Sequence, residues 1–149
     1  MDLRIQKHQK FVTKDEDGQP NGYLIPIYNI NDGFFSPGTE PKQVYLTVVS
    51  PGKYKGPHLH FIRKGFFTCI RGNIKIIIKS DGEYKVFFSG ESFDYASIEV
   101  PIGVPAVIQN IGIDEAFVLN MPNPAWTPEM QDEHTADFSD YDFDLKEVN

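Results

Sequence analysis

The chemistry-bearing residues of this chain are concentrated in Lys53-Tyr54-Lys55-Gly56-Pro57-His58-Leu59-His60. Histidine changes charge near neutral pH, so it serves as a base, a proton shuttle or a metal ligand. Two histidines at i and i+2 on a strand project from the same face. If that face looks into a cavity, both imidazoles enter it. Three chemistries are then open: a pair of metal ligands, a general base with its neighbour, or polar groups lining a barrel mouth. Arg63, Lys64 and Arg71 follow closely. Nearby cations disfavour a second positive charge and keep an imidazole neutral, the form a base requires.

The charge pattern marks the same segment. The chain has 149 residues and a net charge of −7. Residues 42–85 carry 9 basic and 2 acidic side chains, whereas residues 86–149 carry 1 basic and 13 acidic. A basic middle within an acidic molecule suits a local anion site, and the overall charge argues against a nucleic-acid partner. The length suits a single domain over residues 1–149. One cysteine excludes a disulfide framework and a cysteine-based zinc site. No apolar run approaches a membrane span, and the polar N-terminus lacks a signal-peptide core, so a cytoplasmic protein without membrane contact is expected.

The elements that must position the histidines are short strands. Gln43–Val49, Phe66–Ile70, Asn73–Lys79, Tyr84–Phe88, Ser97–Val100, Pro105–Gln109 and Ala116–Met121 are rich in β-branched and aromatic residues. Turn residues separate them, among them Ser50-Pro51-Gly52, Ser80-Asp81-Gly82 and Pro101-Ile102-Gly103. Ile74, Ile76 and Ile78 share one face, with Lys75, Ile77 and Lys79 on the other. No long helical periodicity is present. Strands at this spacing predict an all-β sandwich or barrel. Asp15–Gly18 reads as a hairpin tip, and His8 as a surface group. The acidic, aromatic tail from Trp126 to Asn149 reads as a solvated face.

Gly56-x-His58-x-His60, the Arg71-Gly72 turn, Pro101-x-Gly103 and Asn110 together resemble the two cupin motifs. The resemblance spans about residues 43–121. It implies a small antiparallel jelly-roll barrel, usually in a homodimer. Metal-binding cupins have a glutamate where this chain has Lys64 and a third histidine where it has Ala106. The expectation is therefore no metal and no cofactor, a catalytic zinc generally needing three protein ligands.

The pattern is more similar to the metal-independent sugar-nucleotide cupins. Gln43–Val49, Val100–Pro105, Gln109–Gly112, Leu119-Asn120-Met121-Pro122, Pro128–Glu133 and Asp140–Phe143 resemble dTDP-4-dehydrorhamnose 3,5-epimerase-like proteins. The histidine motif also resembles that of dTDP-sugar 3,4-ketoisomerases. Both branches move protons beside the ketone of a 4-keto-6-deoxy sugar. The resemblance implies His58 as base, with Lys64 beside the enolate oxygen. It leaves Tyr54, Tyr45 or His60 as proton donor, because the catalytic tyrosine of classical epimerases falls at Leu119. Their base-orienting C-terminal aspartate has no secure counterpart. Arg71 or Lys55 could pair with the diphosphate, where arginine offers a bidentate contact, and Arg63 is a further expected substrate contact. Tyr45 and Trp126 complete the expected substrate contacts. A nucleotide-sugar epimerase of polysaccharide or deoxysugar biosynthesis is the leading expectation. A ketoisomerase and a non-catalytic sugar- or anion-binding cupin are the alternatives.

Overall fold

The computed structural model describes residues 3–146. Among them the chain forms β1 (Ile5–Lys7), β2 (Phe11–Lys14), β3 (Pro20–Leu24), β4 (Tyr45–Val49), β5 (Tyr54–Leu59) and β6 (Gly65–Arg71). There follow β7 (Asn73–Ser80), β8 (Glu83–Gly90), β9 (Ala96–Val100), β10 (Ala106–Asn110), β11 (Ala116–Asn120) and β12 (His134–Thr135). The expected hairpin tip lies between β2 and β3, where Asp15 Oδ1 accepts from the Asp17 and Gln19 N–H groups, each at 2.9 Å. No helix among the described residues is long and apolar enough to cross a membrane.

Two five-stranded antiparallel sheets face each other, ordered β1-β9-β6-β11-β4 and β12-β5-β10-β7-β8, with β2 and β3 as a separate ribbon. The all-β jelly-roll expectation holds, as a sandwich rather than a barrel closed by hydrogen bonds. At both seams side chains stand in for a ladder. Ser89 Oγ on β8 accepts from Cys69 N at 3.0 Å and donates to Ala96 O at 2.7 Å. Asn110 Nδ2 on β10 donates to Val49 O at 2.9 Å.

The alternation read in β7 sets the layers. Ile74, Ile76 and Ile78 point inward and pack with Cys69, Ile98, Val49 and Val118 from the opposite sheet. Burial pushes the Cys69 thiol up to about 12, and the residue acts as a small core hydrophobe. His8 is half-buried rather than superficial. Its ring contacts Ser97 Oγ, and burial lowers its pKa against the opposing charge of Asp32.

The tail, described to residue 146, is solvated on one side only: its carboxylates other than Asp132 are exposed, and its aromatic side is packed. Phe138 is 3 % exposed and packs on Ile77 and Val107, with Tyr141 and Phe143 beside it on the outer face of the second sheet. The lysines of β7 meet the tail backbone, Lys79 Nζ reaching Asp137 O at 2.8 Å and Lys75 Nζ reaching Leu145 O at 3.2 Å. Gln109 Nε2 donates to Phe143 O at 2.8 Å. The tail backbone therefore lies against the lysines of β7, and the alternating aromatics supply the apolar contacts that hold it there.

One irregularity controls which residues of β5 face inward. Ala106 opposes His58 and Ile108 opposes Lys55, so Val107 alone faces both Gly56 and Pro57. This bulge puts Lys55 on the same side as His58. Gly56 sits there at φ +104°, and an added Cβ would lie 2.8 Å from Ala106 O, so only glycine fits.

Phe138→Ala is expected to lower unfolding stability by about 3 kcal/mol or more, the usual cost of deleting a buried phenyl ring. Urea denaturation of the variant and the parent measures this. A change within about 0.5 kcal/mol, the range of ordinary surface substitutions, would mean the tail is not anchored.

Candidate active site

Between the sheets lies a cavity of about 340 Å³. Phe67, Val100, Val104 and Ile108 form its apolar wall, and Tyr45, Lys55, His58, His60, Arg63, Asn120 and Glu133 its polar lining. Such a mixture of apolar wall and few converging polar groups is typical of small-molecule sites.

The two histidines are oriented by consecutive residues of the tail. β12 pairs with β5, Thr135 opposite His58 and His134 opposite Leu59. This brings Glu133 Oε1 to 3.0 Å from His58 Nδ1, and Asp132 O to 2.8 Å from His60 Nδ1. An acceptor on Nδ1 fixes the ring proton there and leaves Nε2 with its lone pair free. The Glu133 carboxylate also faces any positive charge that forms when His58 takes up a proton. His60 has its pKa lowered by burial, with Arg63 acting in the same direction. The Asp132 carbonyl hydrogen bond and the charges of Asp132 and Glu133 oppose this.

Asp132 is 2 % exposed and its carboxylate closes the turn after β5. Phe61 N donates to it at 2.8 Å, Ile62 N at 2.9 Å and Arg63 N at 3.0 Å. Burial alone would raise its pKa, but the hydrogen bonds from Arg63, Phe61 and Ile62 outweigh that and hold it below the ordinary range.

The turn so fixed directs Arg63 into the cavity. Its Nη1 donates to the Tyr45 hydroxyl at 2.8 Å, and Asn120 Nδ2 donates to the same oxygen at 2.7 Å. With both acceptor positions of the hydroxyl used, its own proton is free to be given to a ligand. Arg63 Nε is buried without a hydrogen-bond partner, a donor left over for a bound oxygen.

Of the residues singled out by sequence, His58, His60, Lys55, Arg63 and Tyr45 are brought together, and Lys64, Tyr54, Arg71 and Trp126 do not line the cavity. Lys64 follows Arg63 directly and points the opposite way. Its Nζ lies 3.4 Å from Glu99 Oε2 and 5.0 Å from the Phe35 ring centroid, on the far side of the first sheet. The enolate contact expected of Lys64 is therefore open to Arg63 instead. Tyr54 precedes the bulge and turns outward, where it stacks on Phe143 at 4.1 Å. Arg71 ends β6 over the Phe117 ring. Trp126 packs edge-on against Tyr45, with centroids 6.1 Å apart. In β11 the inward residue is Asn120, and Leu119 lies on the other face.

Sequence reasoning missed the work of Asp132 and Glu133. The signal was the Pro128–Glu133 run, and Glu133 stands beside His58, which the resemblance implies as base and for which the sequence offers no secure orienting carboxylate. The donor set does not fit a metal. Ala106, opposite His58, presents a methyl group to the cavity, two cationic side chains share it, and no group of three or more His, Cys, Asp or Glu among the described residues is placed to hold an ion.

A jelly-roll sandwich with paired histidines at one end of its core is a cupin-type protein. More narrowly, the chain belongs to the family described as "FdtA: WxcM-like, C-terminal", which matches residues 8–142. A search of curated proteins returns no match. Three solved structures carry the same fold at low identity. A dTDP sugar isomerase from Desulfovibrio desulfuricans G20 is 15 % identical, with a TM-score of 0.75 over 91 % of this chain and 83 % of that one. ChmJ, a 3'-monoepimerase from Streptomyces bikiniensis in complex with dTDP-quinovose, is 14 % identical, with a TM-score of 0.74 over 99 % and 78 %. QdtA, a sugar 3,4-ketoisomerase from Thermoanaerobacterium thermosaccharolyticum in complex with TDP, is 19 % identical, with a TM-score of 0.65 over 90 % and 88 %.

The lowered pKa of His60 has a consequence for stability. The unfolded chain, with an ordinary value of 6.5, takes up the proton first as pH falls. The contribution is full above that value and is lost as pH drops through the folded pKa. The urea midpoint is expected to fall between about pH 7.5 and about pH 5.5, and His60→Gln to lack part of that fall. His8 contributes in the same direction and remains in the variant. An identical fall in His60→Gln would remove His60 from the account.

Proposed function

We propose that the protein is a metal-independent isomerase of a nucleotide-linked 4-keto-6-deoxy sugar, working by proton abstraction beside the ketone. One observation carries the reading: the cavity combines a histidine oriented by a carboxylate with a tyrosine hydroxyl held by an arginine. His58, its Nδ1 proton engaged by Glu133, takes the acidic C–H proton at Nε2. The electron pair moves onto the carbonyl oxygen, and the Arg63 guanidinium stabilises the enolate. Tyr45 returns a proton to carbon, its phenolate forming beside Arg63. His60, just after β5, offers a second free Nε2 to the cavity. Lys55 supplies positive charge for the diphosphate. Exchange with solvent then removes the added proton from His58 and restores the Tyr45 phenol, so no second reagent is consumed.

Epimerisation is the first form of the reading, supported by a base on β5 and an acid on β4, which belong to opposite sheets. Migration of the ketone from C4 to C3 is the second. It is favoured by two histidines reaching the cavity from β5 and the residue after it, and by the absence of a tyrosine in β11. The similar structures include both kinds of enzyme, a 3'-monoepimerase and a 3,4-ketoisomerase. The first is bound to dTDP-quinovose and the second to TDP.

Incubation with dTDP-4-keto-6-deoxyglucose in D₂O, followed by NMR, tests the reading. Deuterium at C3 or C5 without carbonyl movement supports epimerisation, and a ketone at C3 supports the isomerase. Binding without exchange, also with GDP- and UDP-linked sugars, would leave a sugar-binding module. His58→Asn and Tyr45→Phe are each expected to slow exchange by roughly 10²- to 10⁴-fold, the usual range for general acid–base groups. Full exchange in His58→Asn would remove it as the base.

The working form is taken to be a homodimer. The β2–β3 ribbon exposes Phe11, Val12, Tyr23 and Leu24, and two strands alone are marginal in water. Sedimentation equilibrium is expected to give twice the chain mass. A single-chain mass at micromolar concentration would count against it.

A further inference from the structure

Asp132 makes two kinds of contact across the fold. Its carboxylate accepts the consecutive N–H groups of Phe61, Ile62 and Arg63, and its carbonyl accepts from His60 Nδ1. The partners lie about 70 positions apart in sequence. A turn of this kind is commonly closed by a side chain of its own. Here the acceptor comes from the tail, from the residue before Glu133. Two consecutive tail residues thus take His58 of β5 and His60 just beyond it.

We propose that Asp132 is a positioning residue, which sets the direction of the free Nε2 of His60 and of the Arg63 guanidinium by locking the tail to the turn between them. This deepens the reading of the cavity as a proton-transfer site and rests on it for the catalytic consequence. The carboxylate fixes residue 132 against residues 61–63. Its carbonyl is thereby held within reach of His60. The same three bonds fix the backbone from which Arg63 extends to Tyr45. Asparagine has the same shape but only one acceptor oxygen. Its amide group would set N–H against N–H, so at least one of the three bonds is lost and the charge with it.

The test is NMR of the full chain with ¹⁵N-labelled histidine, reading ring tautomers from long-range ¹H–¹⁵N correlations. In the parent protein His60 is expected to carry its proton on Nδ1 only, and a proton on Nε2 would overturn the proposal without any variant. Asp132→Asn is expected to mix the His60 tautomers while His58 keeps its Nδ1 proton. Exchange on the sugar substrate should fall roughly 10- to 100-fold, chiefly in kcat, as expected for misplaced catalytic groups. Asp132→Glu keeps the charge but moves it by one methylene, and is expected to disturb the same His60 signals. It is the second variant should Asp132→Asn not fold. An unchanged His60 signature in the folded variants overturns the proposal. The tautomer does not depend on substrate. A shifted His60 signature in a protein inert to every nucleotide sugar would keep the positioning role and discard the proposed function.

Discussion

The free edge of β5 has to be covered, and its pairing with β12 governs the rest of the site. A strand edge exposes a row of N–H and C=O groups that water or another strand must satisfy. Only two residues, His134 and Thr135, form the covering strand. The chain on either side of them does more. Before β12 it delivers Asp132 and Glu133 to the histidines, and after it Phe138, Tyr141 and Phe143 spread over the outer face of the second sheet. Orientation of the cavity groups is therefore tied to apolar packing on the opposite side of the sheet.

Much of the fold was legible in the residues. The strands of the core could be read from β-branched runs and turn residues because their alternation matches a two-sided environment. Ile74, Ile76 and Ile78 face the core as the pattern requires. The tail was legible only in half, since its acidic composition marks the solvated side and not the packed one. Its aromatics and the lysines of β7 satisfy each other only once they are adjacent in space, which no local pattern reveals. The barrel became a sandwich for a similar reason. Ser89 and Asn110 replace ladder bonds at the seams, and a buried Ser or Asn looks ordinary in sequence.

The site was legible in its first members and not in its supports. His58 and His60 stand out by spacing, and the basic residues around them by charge. Which of Arg63 and Lys64 turns inward depends on the turn that Asp132 closes. That bond links positions about 70 residues apart. Tyr54 enters the site in sequence as one of the proton donors the resemblance leaves open, and the bulge between it and the histidines turns it outward. The charge asymmetry along the chain likewise acquires a second meaning. The basic segment serves the cavity with Lys55 and Arg63 and the tail with Lys75 and Lys79.

The bulge at Gly56 and Pro57 acts as a phase shift within one strand. Before it the odd position, Lys55, faces the cavity, and after it the even position, His58, does so. A regular strand would commit one parity to the cavity and the other to the tail along its whole length. With the phase shift, the two halves of β5 are set independently. Tyr54 can serve as a platform for Phe143 while His58 and His60, at the same parity, serve the cavity. The strand is in effect two short elements joined end to end, and its anchoring half and its cavity half can each change without forcing a change in the other.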